Sequence, residues 1–292
     1  MNRRVFDRAA TLDLFNPSIG DYVLQRYKDD VSMLRNGMQS LRSESSLTTL
    51  LSLQRNGDLS KVDFNDICNF MMGELVACGF EGVSTSYVSL LCLYRIIEIN
   101  DGEIIFQGDW SCAIDFILLN ADGCATYDSF VVIEWALSEG EISNKQVLDF
   151  VEKNVCSIGS DDEIRAASSL ISSVPTTIEA YQENVELLKE HVINLMCDNF
   201  CEFIEVSDAF SKVGYGEYDE AEKEIKNLIK YKLSELNVNF LESDIEIVAG
   251  SYSISYELDR YYEDHGDDYS YDNDRSSKVF SINEVDELFD RS

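Results

Sequence analysis

The chain has 292 residues, 45% of them hydrophobic and 11% aromatic, with 55 acidic against 23 basic side chains and a formal net charge of −32. This composition excludes a wholly disordered polymer and can build the core of one large or two modest domains. A polyanionic surface repels phosphate, which disfavours DNA, RNA and anionic membranes as its direct ligands.

The charge is unevenly placed. Residues 1–60 hold eight basic and seven acidic side chains, a net of +1, whereas residues 61–292 hold 15 basic and 48 acidic, a net of −33. Only Pro17 and Pro175 interrupt the chain, which permits uninterrupted helices and favours a mainly α fold. The eight cysteines fall mostly in apolar segments without a Cys-x-x-Cys pair, and the two histidines, His191 and His265, cannot complete a zinc set. Reduced core thiols are expected, with no metal and no cofactor. The basic N-terminus is not followed by the apolar stretch of a secretory signal. The most apolar windows, such as Tyr87 to Ile97, fall short of the ~20 residues that span a bilayer. A cytoplasmic protein without membrane contact is expected.

Residues 1–16 read as weakly structured, and Pro17 to Asp21 as a turn into a helix over about 21–36, where Val23, Tyr27, Val31 and Leu34 form one stripe. That helix is expected to end at Asn36-Gly37, and a weaker one over 40–56 to close at Asn56-Gly57. Residues 1–60 thus form a charge-balanced helical segment, suited to packing against the acidic remainder or against a second copy.

From 56 to 156, turns centred on Gly57, Gly82, Gly102, Gly123 and Gly140 separate apolar stretches of helical length: Phe64 to Ala77, Tyr87 to Ile97, Ser111 to Leu119, Ser129 to Leu137 and Asn144 to Val155. Glycine supplies the left-handed conformation that ends one helix, and the Ser or Thr that follows can cap the next. The pattern predicts short antiparallel helices. Residues 95–106 read as helix, with Asp101-Gly102 between β-branched runs giving a hairpin as the competing reading.

The turns Asn100-Asp-Gly-Glu-Ile104 and Ser138-Glu-Gly-Glu-Ile-Ser143, set between apolar helices, resemble those of the TerB-like helical family linked to tellurite resistance and to stress or phage-defence loci, over about residues 56–156. The resemblance implies a helical bundle and a setting in stress or defence. In that family acidic residues on the bundle are thought to bind divalent metal. Here Gln107 and Gly108 stand where such an acid would follow the third turn.

Further on, Glu163 to Ser173 reads as a helix stopped by Pro175. Val185, Leu188, Val192 and Leu195 mark one amphipathic helix, and Ile225, Leu228, Ile229 and Leu233 another that begins near Asp219. The latter pairs Asp219 with Lys223 and Glu222 with Lys226 at i,i+4. These helices belong to an acidic body over 61–240. Residues 243–260 alternate around Ala249-Gly250 and predict a small β-hairpin. The acid- and tyrosine-dense stretch from Tyr261 to Lys278 predicts a disordered arm. The last dozen residues form an amphipathic tip, with a Ser281/Glu284 capping box and Ile282, Val285, Leu288 and Phe289 on one side.

No nucleophile elbow, phosphate loop, zinc-protease helix or dinucleotide fingerprint is present. His191, one turn after Leu187 and Leu188, reads as a core or boundary histidine. The carboxylates from Glu257 to Asp268 lack the spacing of a calcium loop. The sequence therefore points to a non-enzymatic interaction protein: an adaptor, inhibitor or regulatory subunit for a basic or groove-bearing protein partner, able to self-associate. Ile282, Val285, Leu288 and Phe289 are the candidate partner-binding residues. Two alternatives stand beside this reading: a DNA mimic that occupies the groove of a nucleic-acid-binding protein, and a divalent-metal-dependent enzyme.

Overall fold

A computed structural model of the chain describes residues 2–6, 9–13, 26, 30–40, 42–100, 111–178 and 180–269. The fold is mainly helical, with fourteen α-helices among the described residues. The chain divides by packing into two compact units, Met1–His191 and Val192–Ser292. The boundaries expected from sequence, at 60 and 240, follow charge balance and the start of the expected hairpin and arm.

The first unit opens with two strands, β1 (Asn2–Phe6) and β2 (Ala9–Asp13), paired antiparallel with Phe6 opposite Ala9 and Asn2 opposite Asp13. This corrects the expectation of a weakly structured start. β-branched and aromatic positions at Val5, Phe6 and Thr11 favour the extended backbone.

Eight helices follow: α1 (Val31–Ser40), α2 (Glu44–Arg55), α3 (Lys61–Ala77), α4 (Thr85–Asn100), α5 (Ser111–Asn120), α6 (Tyr127–Ser138), α7 (Asn144–Asn154) and α8 (Asp161–Ser172). A single 3-10 turn, Val155–Ser157, stands between α7 and α8. α1 runs through Asn36-Gly37 instead of stopping there, because Leu34 and Met38 bury on one side of it. Residues 95–100 are helical, the last turns of α4, while 101–106 lie outside the described residues.

Four of the five glycine turns, at Gly57, Gly82, Gly123 and Gly140, have the positive φ that the sequence suggests, and Gly102 lies outside the described residues. At the end of α6, Gly140 has φ +75, its N–H donates to the Leu137 carbonyl (3.0 Å), and the Glu141 N–H donates to the Ala136 carbonyl (2.9 Å). That pair of bonds is a Schellman cap, and a side chain at Gly140 would be strained there. Three residues later Ser143 caps α7: its Oγ accepts from the Gln146 N–H (3.4 Å), and Gln146 Oε1 accepts from the Ser143 N–H (2.9 Å). Between them Ile142 is buried, as is Val147 in the first turn of α7, the positions of a hydrophobic staple. The same order of glycine, apolar residue and cap recurs at Gly57, Leu59 and Ser60 before α3.

α6 is the centre of this unit and packs most extensively on α4 and α8. Phe130, Val132, Ile133 and Ala136 are all buried along it. Phe130 meets Phe150 of α7 edge-on, with ring centroids 5.4 Å apart. Ser89 of α4 and Ser129 of α6 share a buried hydrogen bond of 2.9 Å, which satisfies two hydroxyls that apolar surroundings would otherwise penalise.

α9 (Tyr181–Asp198) contains the division between the units. The second unit continues with α10 (Phe200–Phe203), α11 (Val206–Phe210), α12 (Tyr218–Glu235), α13 (Glu242–Ser251) and α14 (Ile254–Tyr269). α12 packs on α11, α13 and α14. Ala221, Ile225, Ile229 and Leu233 form its buried stripe, met by Ile245 and Val248 of α13 and Leu258 of α14 in the core.

No hairpin forms over 243–260. That segment supplies α13 and the start of α14, because Ile245, Val248 and Ala249 recur at three- and four-residue spacing and all bury. Asp244 fixes the helix start by accepting the Leu241 N–H at 2.7 Å. Residues 261–269, expected to be disordered, continue α14, which Tyr261 and Tyr262 anchor through aromatic contacts.

Candidate functional site

The predicted partner-binding residues Ile282, Val285, Leu288 and Phe289 lie outside the described residues. Within the described part of the second unit, the chemistry gathers around Tyr218, at the start of α12. Two clefts meet at this residue. One, of about 560 Å³, is lined by Gly216 to Glu220. The other, of about 400 Å³, is lined by Tyr218, Glu222, Glu246 and the turn from Ala249 to Ser255.

The loop before α12 is shaped by its glycines. The Gly214 N–H donates to Glu217 Oε2 (2.9 Å), and a Cβ on Gly214 would press that carboxylate at 3.1 Å. Gly216 has φ +81, which favours glycine. The turn therefore folds Glu217 back on the backbone and leaves Tyr215 70% exposed at its tip. Asp219 and Glu220 follow in the first helical turn, where the helix dipole favours negative charge.

The Tyr218 hydroxyl donates to Asp259 Oδ1 of α14 at 2.8 Å. That bond holds the Tyr218 phenol above its ordinary pKa, with desolvation and the Asp259 charge adding to it. Behind it runs an aromatic chain: Tyr215 against Tyr262 (5.6 Å, 82°), Tyr262 against Tyr261 (5.6 Å, 90°), and Tyr261 against Phe210 (5.8 Å, 59°). The Tyr262 hydroxyl donates to the Val213 carbonyl. On the other side Tyr252 stacks on Phe200 at 4.3 Å, and burial, with Cys201 beside it, pushes its phenol well up.

Lys226 lies between Glu222 and Glu246, each at 2.7 Å, and so ties α12 to α13. The Glu222–Lys226 pair is the one expected from sequence. Lys223 pairs with Glu220 at 2.9 Å, three residues back, and not with Asp219.

Upward shifts make these phenols poorer nucleophiles, not activated ones. Exposed electron-rich rings beside carboxylates are suited to cations. A guanidinium fits best, since it stacks on a ring while its N–H fork meets a carboxylate. Among the described residues no group of three metal-ligating side chains converges, and no helix is long and apolar enough to cross a membrane.

His191 Nε2 donates to the Ile158 carbonyl at 2.8 Å, as a boundary histidine would. None of the cysteines is in a disulfide, but the expectation of core burial holds for Cys68 and Cys92 only, with Cys78, Cys124, Cys156 and Cys201 exposed. Helix-end positions explain the difference: Cys78 is the C-cap of α3, and Cys124 follows Gly123 in a turn.

The Tyr218 site was not singled out in the sequence. Its signal was there, since tyrosines alternate with glycine and acid over Gly214-Tyr-Gly-Glu-Tyr-Asp-Glu220, but nothing local points to Asp259, 41 residues away.

No protein-family model matches the chain, and neither the curated proteins nor the solved structures yield a significant match.

Proposed function

We propose that this protein works without catalysis, as an adaptor or inhibitor that binds a basic protein partner by gripping its arginine side chains on the Tyr218 face. One observation carries the reading. Of the ten large apolar side chains exposed among the described residues, six lie in the second unit, and four of these are tyrosines: Tyr215, Tyr218, Tyr231 and Tyr256.

Residues 192–292 also hold 25 acidic against nine basic side chains, so these rings stand in a negative field. Aromatic residues are enriched where proteins meet, and complementary charge steers the encounter. Glu220, Glu222 and Glu246 already balance Lys223 and Lys226, whereas Asp219, next to Tyr218, and Asp259, which accepts its hydroxyl, carry no ion pair among the described residues. A stress or defence setting for the partner is part of the same proposal and draws only on the turns at Asn100–Ile104 and Ser138–Ser143 that resemble the TerB-like family.

The test is a titration with two flexible peptides alike except that one carries arginines and the other lysines. The reading expects the arginine peptide to bind about five- to thirtyfold more tightly, since stacking on two exposed rings adds roughly 0.5–1 kcal/mol each. Tyr215→Ala with Tyr218→Ala closes that gap without altering the net charge. Equal affinity of the unmodified protein for both peptides would show plain charge attraction and refute the reading.

A further inference from the structure

We infer that the first unit carries a second, chemically different docking groove, centred on Trp135, which takes the apolar edge of an amphipathic helix bearing a lysine or arginine. The groove has a volume of about 560 Å³ and is walled by Ile96 of α4, Val131, Glu134, Trp135 and Leu137 of α6, and Pro175 beyond α8. Five of its nine lining residues are apolar, with Ser138, Asn144 and Ser173 joining Glu134 as the polar ones, in contrast to the clefts at Tyr218, where Glu217, Glu220, Glu222 and Glu246 supply carboxylates. The size lies within the range of pockets that bury a compact ligand or a few side chains.

Glu134 decides what fits. Its Oε1 accepts the hydroxyls of Ser169 (2.8 Å) and Ser173 (2.9 Å), both from the end of α8, so the carboxylate is fixed in the groove wall. Its other oxygen takes no hydrogen bond among the described residues. Covering the groove with a purely apolar surface would strip water from that oxygen and leave a charge without compensation, a costly outcome. A cation at the edge of an apolar stripe removes the penalty and adds a charge-assisted hydrogen bond. An acidic helix is repelled twice, by Glu134 and by the net charge of −32. The indole supplies a large, rigid contact of the kind that anchors helix-in-groove binding.

The experiment uses the full chain with Trp110→Phe, which leaves Trp135 as the sole tryptophan emitter, since the chain has two. Three probes of about 18 residues, long enough for five helical turns, are titrated: an amphipathic Leu/Lys helix, its Leu/Glu counterpart, and a Leu/Lys peptide of the same composition scrambled to lose its apolar face. The expected result is a saturable blue shift of Trp135 with the first probe alone. Glu134→Gln weakens it about tenfold, as loss of a charge-assisted bond does, whereas Glu139→Gln, an exposed acid beyond the groove, leaves it unchanged. Calorimetry with both tryptophans in place gives the same ordering. An equal response to the scrambled peptide, or no effect of Glu134→Gln, overturns the inference. Alanine at Tyr215 and Tyr218 leaves this signal intact, so the groove and the proposed arginine face stand or fall separately.

Discussion

Tyr218 and Asp259, 41 residues apart, are joined by a 2.8 Å hydrogen bond that ties the first turn of α12 to α14. The ring faces the two clefts and the hydroxyl secures the helix behind it, so the two parts of the side chain have separable tasks. Tyr218→Phe keeps the ring and is expected to bind the arginine peptide as tightly as the unmodified protein does, while Tyr218→Ala loses about two- to fivefold, the share of one exposed ring. Equal losses in the two variants, measured by calorimetry, would assign the effect to the hydroxyl.

The buried Ser89–Ser129 bond holds α4 against α6. Ser129→Ala leaves the Ser89 hydroxyl buried without its partner and is expected to cost about 1–3 kcal/mol in urea unfolding. Replacing both serines by alanine is expected to cost less than the sum of the single changes, because the second removes the orphaned group. Strict additivity would contradict this.

Phe130 is fully buried in the most central helix, with Phe150 edge-on to it. Phe130→Ala opens a cavity in the first unit and is expected to cost about 3–5 kcal/mol. A loss below about 1 kcal/mol would mean that α6 is not the centre of the packing.

Asp128, half-buried in the first turn of α6, has its carboxyl pushed above the ordinary range by burial, with the Glu44 charge adding to the effect. Between the ordinary carboxylate pKa and the raised one, the folded protein keeps a proton that the unfolded chain has released. The native state binds more protons there, so stability falls as pH rises through that window. Asp128→Asn removes the effect. Its Tm should exceed that of the unmodified protein at neutral pH, and the gain should vanish below the ordinary carboxylate range. A gain that persists at low pH would assign the change to something other than charge.

The helical plan was legible wherever local chemistry decides it. Gly140 followed by Ile142 and Ser143 spells a helix end, a buried staple and a new cap, and α6 and α7 obey it. The segment over 243–260 misled because its alternation also satisfies a helical stripe at Ile245, Val248 and Ala249, and packing against α12 selects the helix. Gly250 there is an ordinary position within α13. Tertiary packing settled that contest, and no count of β-branched residues could have done so. The Tyr218 face was hidden for a related reason: its rings and acids come from α12, α13 and α14, and only their packing brings Tyr218 to Asp259.

The central claim, that arginine side chains dock at Tyr218, is tested most directly by tyrosine ring resonances in a selectively labelled protein titrated with the arginine peptide. The account predicts saturable shifts for Tyr215, Tyr218 and Tyr252, with Tyr127 of the first unit unmoved. Shifts of equal size for Tyr127 and Tyr218, or none at Tyr218 while the peptide binds, would contradict it.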